Sequence, residues 1–110
     1  MKKKFQPAFD GILSALQHRS VRIQFYLGAL AILAGAVLRL TYLEWIAFIL
    51  CIGMVITAEL LNTCVELICN LISNSYDQRI KTIKDIAAGA VLAASVSSLI
   101  AAVIILFHHL

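Results

Sequence analysis

The stretch AELLNTCVELICNLISNSYDQRIKTIKD, residues 58–85, combines an apolar helix with a line of polar side chains. The polar positions are spaced by three and four residues, so at about 100° per residue they share one helical face. We call this face the polar row; it consists of Glu59, Asn62, Thr63, Glu66 and Asn70. The opposite face is apolar and carries Leu60, Leu61, Val65, Leu67, Ile68 and Leu71. The alignment of two carboxylates and two amides in an apolar helix predicts a functional or helix-packing site.

The composition of the chain indicates an integral membrane protein. Of its 110 residues, 62% are hydrophobic and only 14% are charged, against about 25% charged residues in ordinary soluble domains. A soluble chain of this length could not bury so much apolar surface, because small domains have little core for their surface. The net charge is +3, and the basic residues form no stripe with interleaved aromatics, so a nucleic-acid partner is not expected.

A short amphipathic helix is predicted near the N-terminus, over residues 5–18. Pro7 favours a helix start, and apolar side chains recur at helical spacing at Phe5, Phe9, Ile12 and Leu16. A helix of this kind with basic ends can lie in the membrane surface, where lysines meet anionic headgroups. It can equally pack on the protein's own helices, and the two arrangements are compatible.

Three membrane-spanning helices are predicted, over residues 21–40, 44–72 and 84–107. A span needs about 20 residues, and the second predicted helix exceeds this, so its second half should emerge from the hydrocarbon core with the polar row at the boundary. Residues 73–83 are predicted to form a loop, and Asp85 to stand at a helix start. The predicted fold is therefore a single all-α membrane domain over residues 1–110, with one surface helix and three transmembrane helices.

The distribution of lysine and arginine predicts the orientation in the membrane. One side has a single basic residue, Arg39, and the other has eight. The eight are Lys2, Lys3, Lys4, Arg19, Arg22, Arg79, Lys81 and Lys84. This places the N-terminus and the 73–83 loop in the cytoplasm and the C-terminus outside the inner membrane, so the polar row faces the cytoplasm from the membrane boundary. His108 and His109 are then expected to be a solvated tail, and a poor metal site without a further ligand.

The polar row and the segment that follows it contain residue types that could bind Mg²⁺ and phosphate and move a proton. A partly desolvated carboxylate such as Glu59 suits a general base. Glu66, expected nearer water and close to Lys84, could hold Mg²⁺, which takes one or two protein carboxylates together with substrate phosphates. Asn62 could orient a hydroxyl or phosphate oxygen, Lys84 supplies a positive charge for phosphate, and Asp85 could cap a helix or bind metal.

Two other interpretations of the polar row remain open from the residues alone. Its side chains could hold helices together in a homo-oligomer. They could also carry a proton or ion, although the row stops at one leaflet. The chain has neither a G-x-x-x-x-G-K-[ST] nor a G-x-G-x-x-G loop, so a nucleotide site of the P-loop or Rossmann type is excluded.

Several segments together resemble the prokaryotic diacylglycerol kinase family. The family pattern E-x-x-N-[ST]-x-x-E is present as ELLNTCVE at residues 59–66, followed by the loop tyrosine Tyr76 and by KDIAAGAVL at residues 84–92. AFDGILSAL at residues 8–16 is similar to the family's surface helix. The KDIAAGAVL version resembles the Gram-positive branch, whose members are mostly undecaprenol kinases.

The resemblance implies a homotrimer with active sites shared between subunits at the cytoplasmic boundary. It also implies Mg²⁺ as cofactor and ATP as phosphoryl donor. Glu59 would take the proton of the lipid hydroxyl, Asn62 would position the substrate and Glu66 would bind the metal. The residues implied at the nucleotide are Tyr76, Lys84, Asp85 and, through the metal, Glu66.

The sequence departs from the family at two acidic positions near the metal. The stretch HRSVRIQ at residues 18–24 has His18 and Arg19 where the family has a glutamate or glutamine, and Asn70 replaces the usual aspartate. These changes predict weaker Mg²⁺ binding or a replacement ligand, either Asp77 or Asp85. The function expected is ATP-dependent phosphorylation of undecaprenol. The alternatives are a diacylglycerol kinase that makes phosphatidate and a non-catalytic trimer with a degraded metal site.

Overall fold

The computed structural model describes residues 2–110, with side chains from Lys3 onward, and contains helices without any strand in that range. The helices are α1 (Lys2–Ala15), α2 (Arg19–Leu38), α3 (Tyr42–Ile72) and α4 (Gln78–His109). The last three are long and apolar enough to cross a membrane. This confirms the prediction of an all-α membrane protein with three apolar helical spans.

Helix α3 is the centre of the fold and packs most extensively on α4, then on α2 and α1. Its 31 residues correspond to roughly 46 Å at 1.5 Å per residue, more than the ~30 Å hydrocarbon core. Among the side chains from Lys3 onward, five apolar ones are buried: Val21, Leu40, Cys69, Ala94 and Ile105. Most apolar side chains of α2, α3 and α4 therefore face outward, as expected for helices surrounded by lipid or by further helices.

The break between the first two helices lies earlier in the chain than predicted. Helix α1 begins at Lys2, before the predicted start at residue 5, and ends at Ala15, with Pro7 inside it. The backbone N–H of Gln17 bonds Ser14 at 3.2 Å and that of His18 bonds Ala15 at 2.9 Å. His18 is then extended (ψ 129°) and precedes the first residue of α2. The chain thus turns sharply at residues 16–18, inside the predicted surface helix.

Helices α2 and α3 are connected by two capping motifs in direct succession. Arg39 is left-handed (φ 56°), and the N–H groups of Arg39 and Leu40 bond the carbonyls of Ala36 and Gly35, both at 3.3 Å. This is the helix-ending Schellman arrangement, and it ends α2 at Leu38, two residues before the end of the predicted span. Thr41 then begins α3 through a capping box with Glu44.

The predicted loop over residues 73–83 is wrong, because α4 begins at Gln78. The actual loop covers residues 73–77. Asp77 caps α4, since its Oδ1 accepts from the Arg79 N–H at 2.8 Å, and its Oδ2 also pairs with the Arg79 guanidinium at 3.0 Å. These bonds hold the pKa of the Asp77 carboxyl below its usual range. The predicted cap at Asp85 is accordingly wrong, since Asp85 lies about two turns inside α4.

The predicted solvated tail at His108 and His109 is also wrong. Both side chains contact Glu44 in the first turn of α3, His108 at 3.2 Å and His109 at 2.8 Å. The end of α4 is therefore joined to the beginning of α3 by polar contacts.

Close packing of α2 on α3 depends on Gly35, and Gly35→Ala is expected to destabilise the protein. An added Cβ would lie 2.9 Å from both a Leu40 methyl group and the Trp45 ring. Overpacking of this kind costs about 1–3 kcal/mol, more than the roughly 1 kcal/mol that alanine gains in a helix. Thermal unfolding in detergent should show a lower midpoint. The matched control is Gly53→Ala, whose Cβ would meet no atom within 4 Å; an equal loss in both variants would contradict the packing argument.

Candidate active site

The polar row of α3 divides into a buried part and an exposed part. The side chains nearer the middle of α3 are enclosed: Glu59 is 5% exposed, Asn62 9% and Thr63 5%. Glu66 and Asn70, further along the helix, are exposed. The row therefore runs from a protected end to a solvent-accessible end within one helix.

Hydrogen bonds give the residues of the buried part different roles. The Thr63 hydroxyl donates to the Glu59 backbone carbonyl at 3.0 Å, which is a bond from a side chain to the backbone one turn earlier in α3. The Asn62 amide donates to Glu66 Oε1 at 3.0 Å. The Asn62 carbonyl oxygen is buried and has no partner. A buried acceptor without a hydrogen bond lowers the stability of the protein. The Asn62 oxygen is therefore available to accept a hydrogen bond from a ligand, such as one with a hydroxyl group.

The exposed end of the row is joined to α4 through Asn70. Lys84 Nζ donates to Asn70 Oδ1 at 2.9 Å, whereas Lys81 Nζ pairs with Asp85 at 2.6 Å. Lys84 was expected close to Glu66, but the described side chains contain no ion pair between these two residues. Lys84 instead bonds Asn70, the next residue of the polar row. The amide at position 70 thus serves as an acceptor for the lysine.

Glu59 and Glu66 differ from most other acids because neither has a cationic or histidine partner among the described side chains. Glu44 contacts histidines, Asp77 contacts Arg79 and Asp85 contacts Lys81. Among the side chains from Lys3 onward, Asp10 is the other acid outside these pairs, and it accepts from Gln6 in α1. The carboxylates of the polar row are therefore not neutralised by the protein itself.

Two concave surfaces lie along α3 and α4, one apolar and one polar. The apolar groove has a volume of about 620 Å³ and is lined by Met54, Thr57, Ala58, Leu61, Asn62, Val65, Ile83, Ile86, Ala87 and Ala90. The polar crevice, of about 510 Å³, is lined by Asn70, Ser73, Asn74, Ser75, Tyr76, Asp77, Ile80, Lys81, Lys84 and Asp85. Ile83 and Lys84 are neighbours in the chain, so the groove and the crevice adjoin.

The polar crevice contains three of the four residues that the sequence associates with nucleotide, without Glu66, together with residues that were not predicted. Tyr76, Lys84 and Asp85 all line it, and the Tyr76 hydroxyl donates to Gln78 at 2.6 Å. The small polar residues of the loop, Ser73, Asn74 and Ser75, also line it. The composition of residues 73–75 could have predicted a tight turn here, since the side chains of serine and asparagine bond backbone groups in turns.

The structure does not bring His18 or Arg19 to the polar row. His18 precedes α2 and makes no side-chain capping bond, and Arg19 is the exposed first residue of that helix. Neither side chain has a hydrogen bond to the row in the described part of the chain. Asp77, a candidate replacement metal ligand, is occupied as the cap of α4.

The polar row, the groove and the crevice occur in a chain that matches a known family over most of its length. The sequence pattern of the prokaryotic diacylglycerol kinases matches residues 6–106. The chain belongs to the prokaryotic diacylglycerol kinase family. This confirms the resemblance read from the sequence and the expected enzyme class, a lipid kinase.

Two members of the prokaryotic diacylglycerol kinase family show the range of relatives. An undecaprenol kinase of Bacillus subtilis is 32% identical over 109 residues, which cover 98% of this chain and 89% of that protein. A diacylglycerol kinase of Synechocystis is 35% identical over 98 residues, covering 87% of this chain and 56% of that protein. The two names differ in lipid substrate, so at these identities the family alone does not choose between them.

Proposed function

We propose that this protein transfers the γ-phosphoryl group of ATP to undecaprenol at the cytoplasmic face of the inner membrane. The observation that carries the proposal is that an apolar groove with Asn62 in its lining and a polar crevice with Lys84 in its lining lie along the same two helices, and that the Asn62 amide donates to Glu66. A lipid alcohol is dissolved in the bilayer and a nucleotide in water, so an enzyme that transfers a phosphoryl group between them needs an apolar and a polar surface close together. The Bacillus subtilis undecaprenol kinase, similar over nearly the whole chain, favours that acceptor over diacylglycerol.

The lipid side of the proposed site is the apolar groove with Asn62 at its polar edge. Isoprenoid or acyl chains can lie against the apolar lining, and the unpartnered Asn62 oxygen can accept a hydrogen bond from the hydroxyl group of an arriving lipid alcohol, which must turn to Glu59 before it gives up its proton. Glu59 precedes Asn62 by three positions on the same helical face and is buried. We assign Glu59 the role of general base that accepts the hydroxyl proton.

The nucleotide side is the polar crevice. Lys84 can contact phosphate oxygens if it exchanges its bond with Asn70, and Tyr76 and Asp85 stand on the same lining. Glu66 is exposed, and its carboxylate is a suitable ligand for Mg²⁺. This ion commonly binds through one protein carboxylate together with substrate phosphates and water. When bound there, Mg²⁺ supplies neutralisation of phosphate charge. The role of the protein is then mainly to position the two substrates and exclude water between them.

The same proposal includes a homotrimer whose subunits share active sites. Most of the apolar side chains of α2, α3 and α4 face outward and are not buried within one chain, so they are available to pack against other subunits. The resemblance to the family also supports a trimer. The cytoplasmic position of the polar row is supported by the basic residues clustered at that end of the helices.

The proposed function is tested by incubating the purified full-length protein, in lipid or detergent, with Mg-ATP and either undecaprenol or diacylglycerol. Formation of undecaprenyl phosphate at the higher kcat/KM supports the proposal. Preferential formation of phosphatidate would identify a diacylglycerol kinase. If neither lipid is phosphorylated, the proposed function fails and the non-catalytic trimer becomes the better description.

Lys84→Gln is expected to raise the KM for ATP with a smaller effect on the KM for lipid. Loss of a charge-assisted contact of about 1.5–3 kcal/mol corresponds to a rise of roughly 10- to 100-fold. Initial-rate measurements with each substrate varied in turn provide the test. Arg39→Asn is the control, because it removes a positive charge at the far end of α2 and asparagine tolerates the left-handed conformation found there. Equal effects on the KM values for ATP and lipid would contradict the assignment of Lys84.

A further inference from the structure

A group of metal-ligating side chains lies at the end of the molecule opposite the polar crevice. We call it the Glu44 cluster; it consists of Glu44, His108 and His109. Glu44 Oε2 lies 3.2 Å from His108 Nδ1, and Glu44 Oε1 lies 2.8 Å from His109 Nε2. The three potential ligand atoms all lie within 4.8 Å of one another. Residues 64 and 65 positions apart in the chain are thus brought to one point.

The carboxylate of the cluster is held in place by the start of α3. The Thr41 N–H donates to Glu44 Oε1 at 2.9 Å, and the Glu44 N–H donates to the Thr41 hydroxyl at 3.3 Å. The side chain of Glu44 is 13% exposed and that of His109 20%, whereas that of His108 is 72% exposed. The cluster therefore combines two enclosed ligands with one exposed ligand that can move. The bonds from Thr41 hold the Glu44 carboxylate in place, as outer-shell hydrogen bonds do for metal ligands.

We infer that the Glu44 cluster binds a divalent transition-metal ion, with Zn²⁺ the best match. Two imidazoles and one carboxylate form a known protein ligand set for zinc, in which water takes the fourth position. Imidazole ligands favour zinc, copper or nickel over magnesium, so the cluster would not compete for Mg²⁺. Ligand atoms around tetrahedral zinc lie about 3.4 Å apart, given bonds of about 2.1 Å. The three potential ligand atoms lie within 4.8 Å of one another, and the contacts of 3.2 and 2.8 Å go to different oxygens of Glu44, so zinc binding would require the exposed His108 to turn towards the other two ligands.

The proposed zinc site is separate from the proposed kinase site. Glu44 and Glu66 are 22 positions apart in α3, or roughly 33 Å at 1.5 Å per residue, which is comparable with the hydrocarbon thickness. The metal would link the first turn of α3 to the last turn of α4, where His108 and His109 contact Glu44. Its expected effect is to hold these two helix ends together.

The test uses full-length protein without a polyhistidine tag, treated with chelator and titrated with Zn²⁺ by calorimetry. One Zn²⁺ per chain should bind, and its binding should raise the midpoint of thermal unfolding. His108→Gln and His109→Gln should each weaken binding at least 10-fold. Glu44→Gln should also weaken it, while glutamine can keep the capping bond with Thr41. The apo form of this variant should therefore unfold at a similar temperature, which separates loss of a ligand from loss of the helix cap.

The free cysteines provide an alternative set of zinc ligands, and the experiment distinguishes them. Cys51, Cys64 and Cys69 form no disulfide and lie elsewhere in α3. A triple Cys→Ala variant should retain the zinc site. The inference is overturned if no zinc binds, if binding is unchanged in both histidine variants, or if binding disappears with the cysteines. None of these outcomes depends on the lipid that the protein phosphorylates.

Discussion

Glu59→Gln is expected to reduce kcat by about 10²- to 10⁴-fold, the usual contribution of a general base. The glutamine side chain has nearly the same size, and Glu59 has no cationic partner in the described part of the chain whose charge would be left unbalanced. The fold should therefore persist, because the Thr63 bond at this position goes to the backbone carbonyl and not to the carboxylate. The measurement is the rate of phospholipid formation at saturating Mg-ATP and lipid.

The control for Glu59→Gln is Asp10→Asn, which neutralises an exposed acid in α1 and should leave the rate unchanged. Size-exclusion chromatography in detergent should give the same oligomer for the unmodified protein and both variants. If Glu59→Gln instead dissociates the oligomer, the polar row holds helices together and the catalytic assignment is wrong. Retention of the full rate would also contradict it.

Glu66→Gln is expected to lower the apparent affinity for Mg²⁺ on the order of 100-fold or more, since even the loss of an outer-shell partner costs 10- to 100-fold. Glutamine can still accept from the Asn62 amide through its own Oε1, so the observed 3.0 Å bond need not be lost. The local geometry should therefore be kept while the negative charge is removed. Activity measured over a range of Mg²⁺ concentrations should shift to higher Mg²⁺ and recover only in part.

Comparison with Asn70→Asp makes the Glu66 prediction more specific. A second carboxylate one turn beyond Glu66 should shift the Mg²⁺ dependence in the opposite direction, provided that it does not simply pair with Lys84 in place of the present bond. An unchanged Mg²⁺ profile in Glu66→Gln would exclude this residue as the metal ligand. The KM for ATP of Asn70→Asp shows whether pairing has withdrawn Lys84 from the nucleotide.

The parts of the fold that could be predicted from sequence are those with strong periodicity. The three apolar helices and the common face of the polar row follow directly from residue spacing, and the structure contains both. The start of α4 could not be located in this way, because charged and apolar residues alternate irregularly between Gln78 and Lys84. The decisive feature is the local cap at Asp77, which in the sequence resembled a possible metal ligand.

The contacts between helices were harder to predict because they depend on the register of α4 against α3. A loop predicted over residues 73–83 but covering only 73–77 changes which side chains face each other. Lys84 consequently contacts Asn70 where proximity to Glu66 was expected. The contact of Glu44 with His108 and His109 had no sequence signal at all, since it joins residues 64 and 65 positions apart.

The short connection between α3 and α4 has a consequence for the order in which the protein folds. Closing a loop of so few residues costs little chain entropy, and contacts near the loop are local in sequence, which favours early formation. The hairpin should therefore close from residues 73–77 towards its open end. Asn70 and Lys84 would meet first, whereas Glu44 and His109 would meet last. The lining of the polar crevice would thus assemble while the opposite ends of the two helices are still apart.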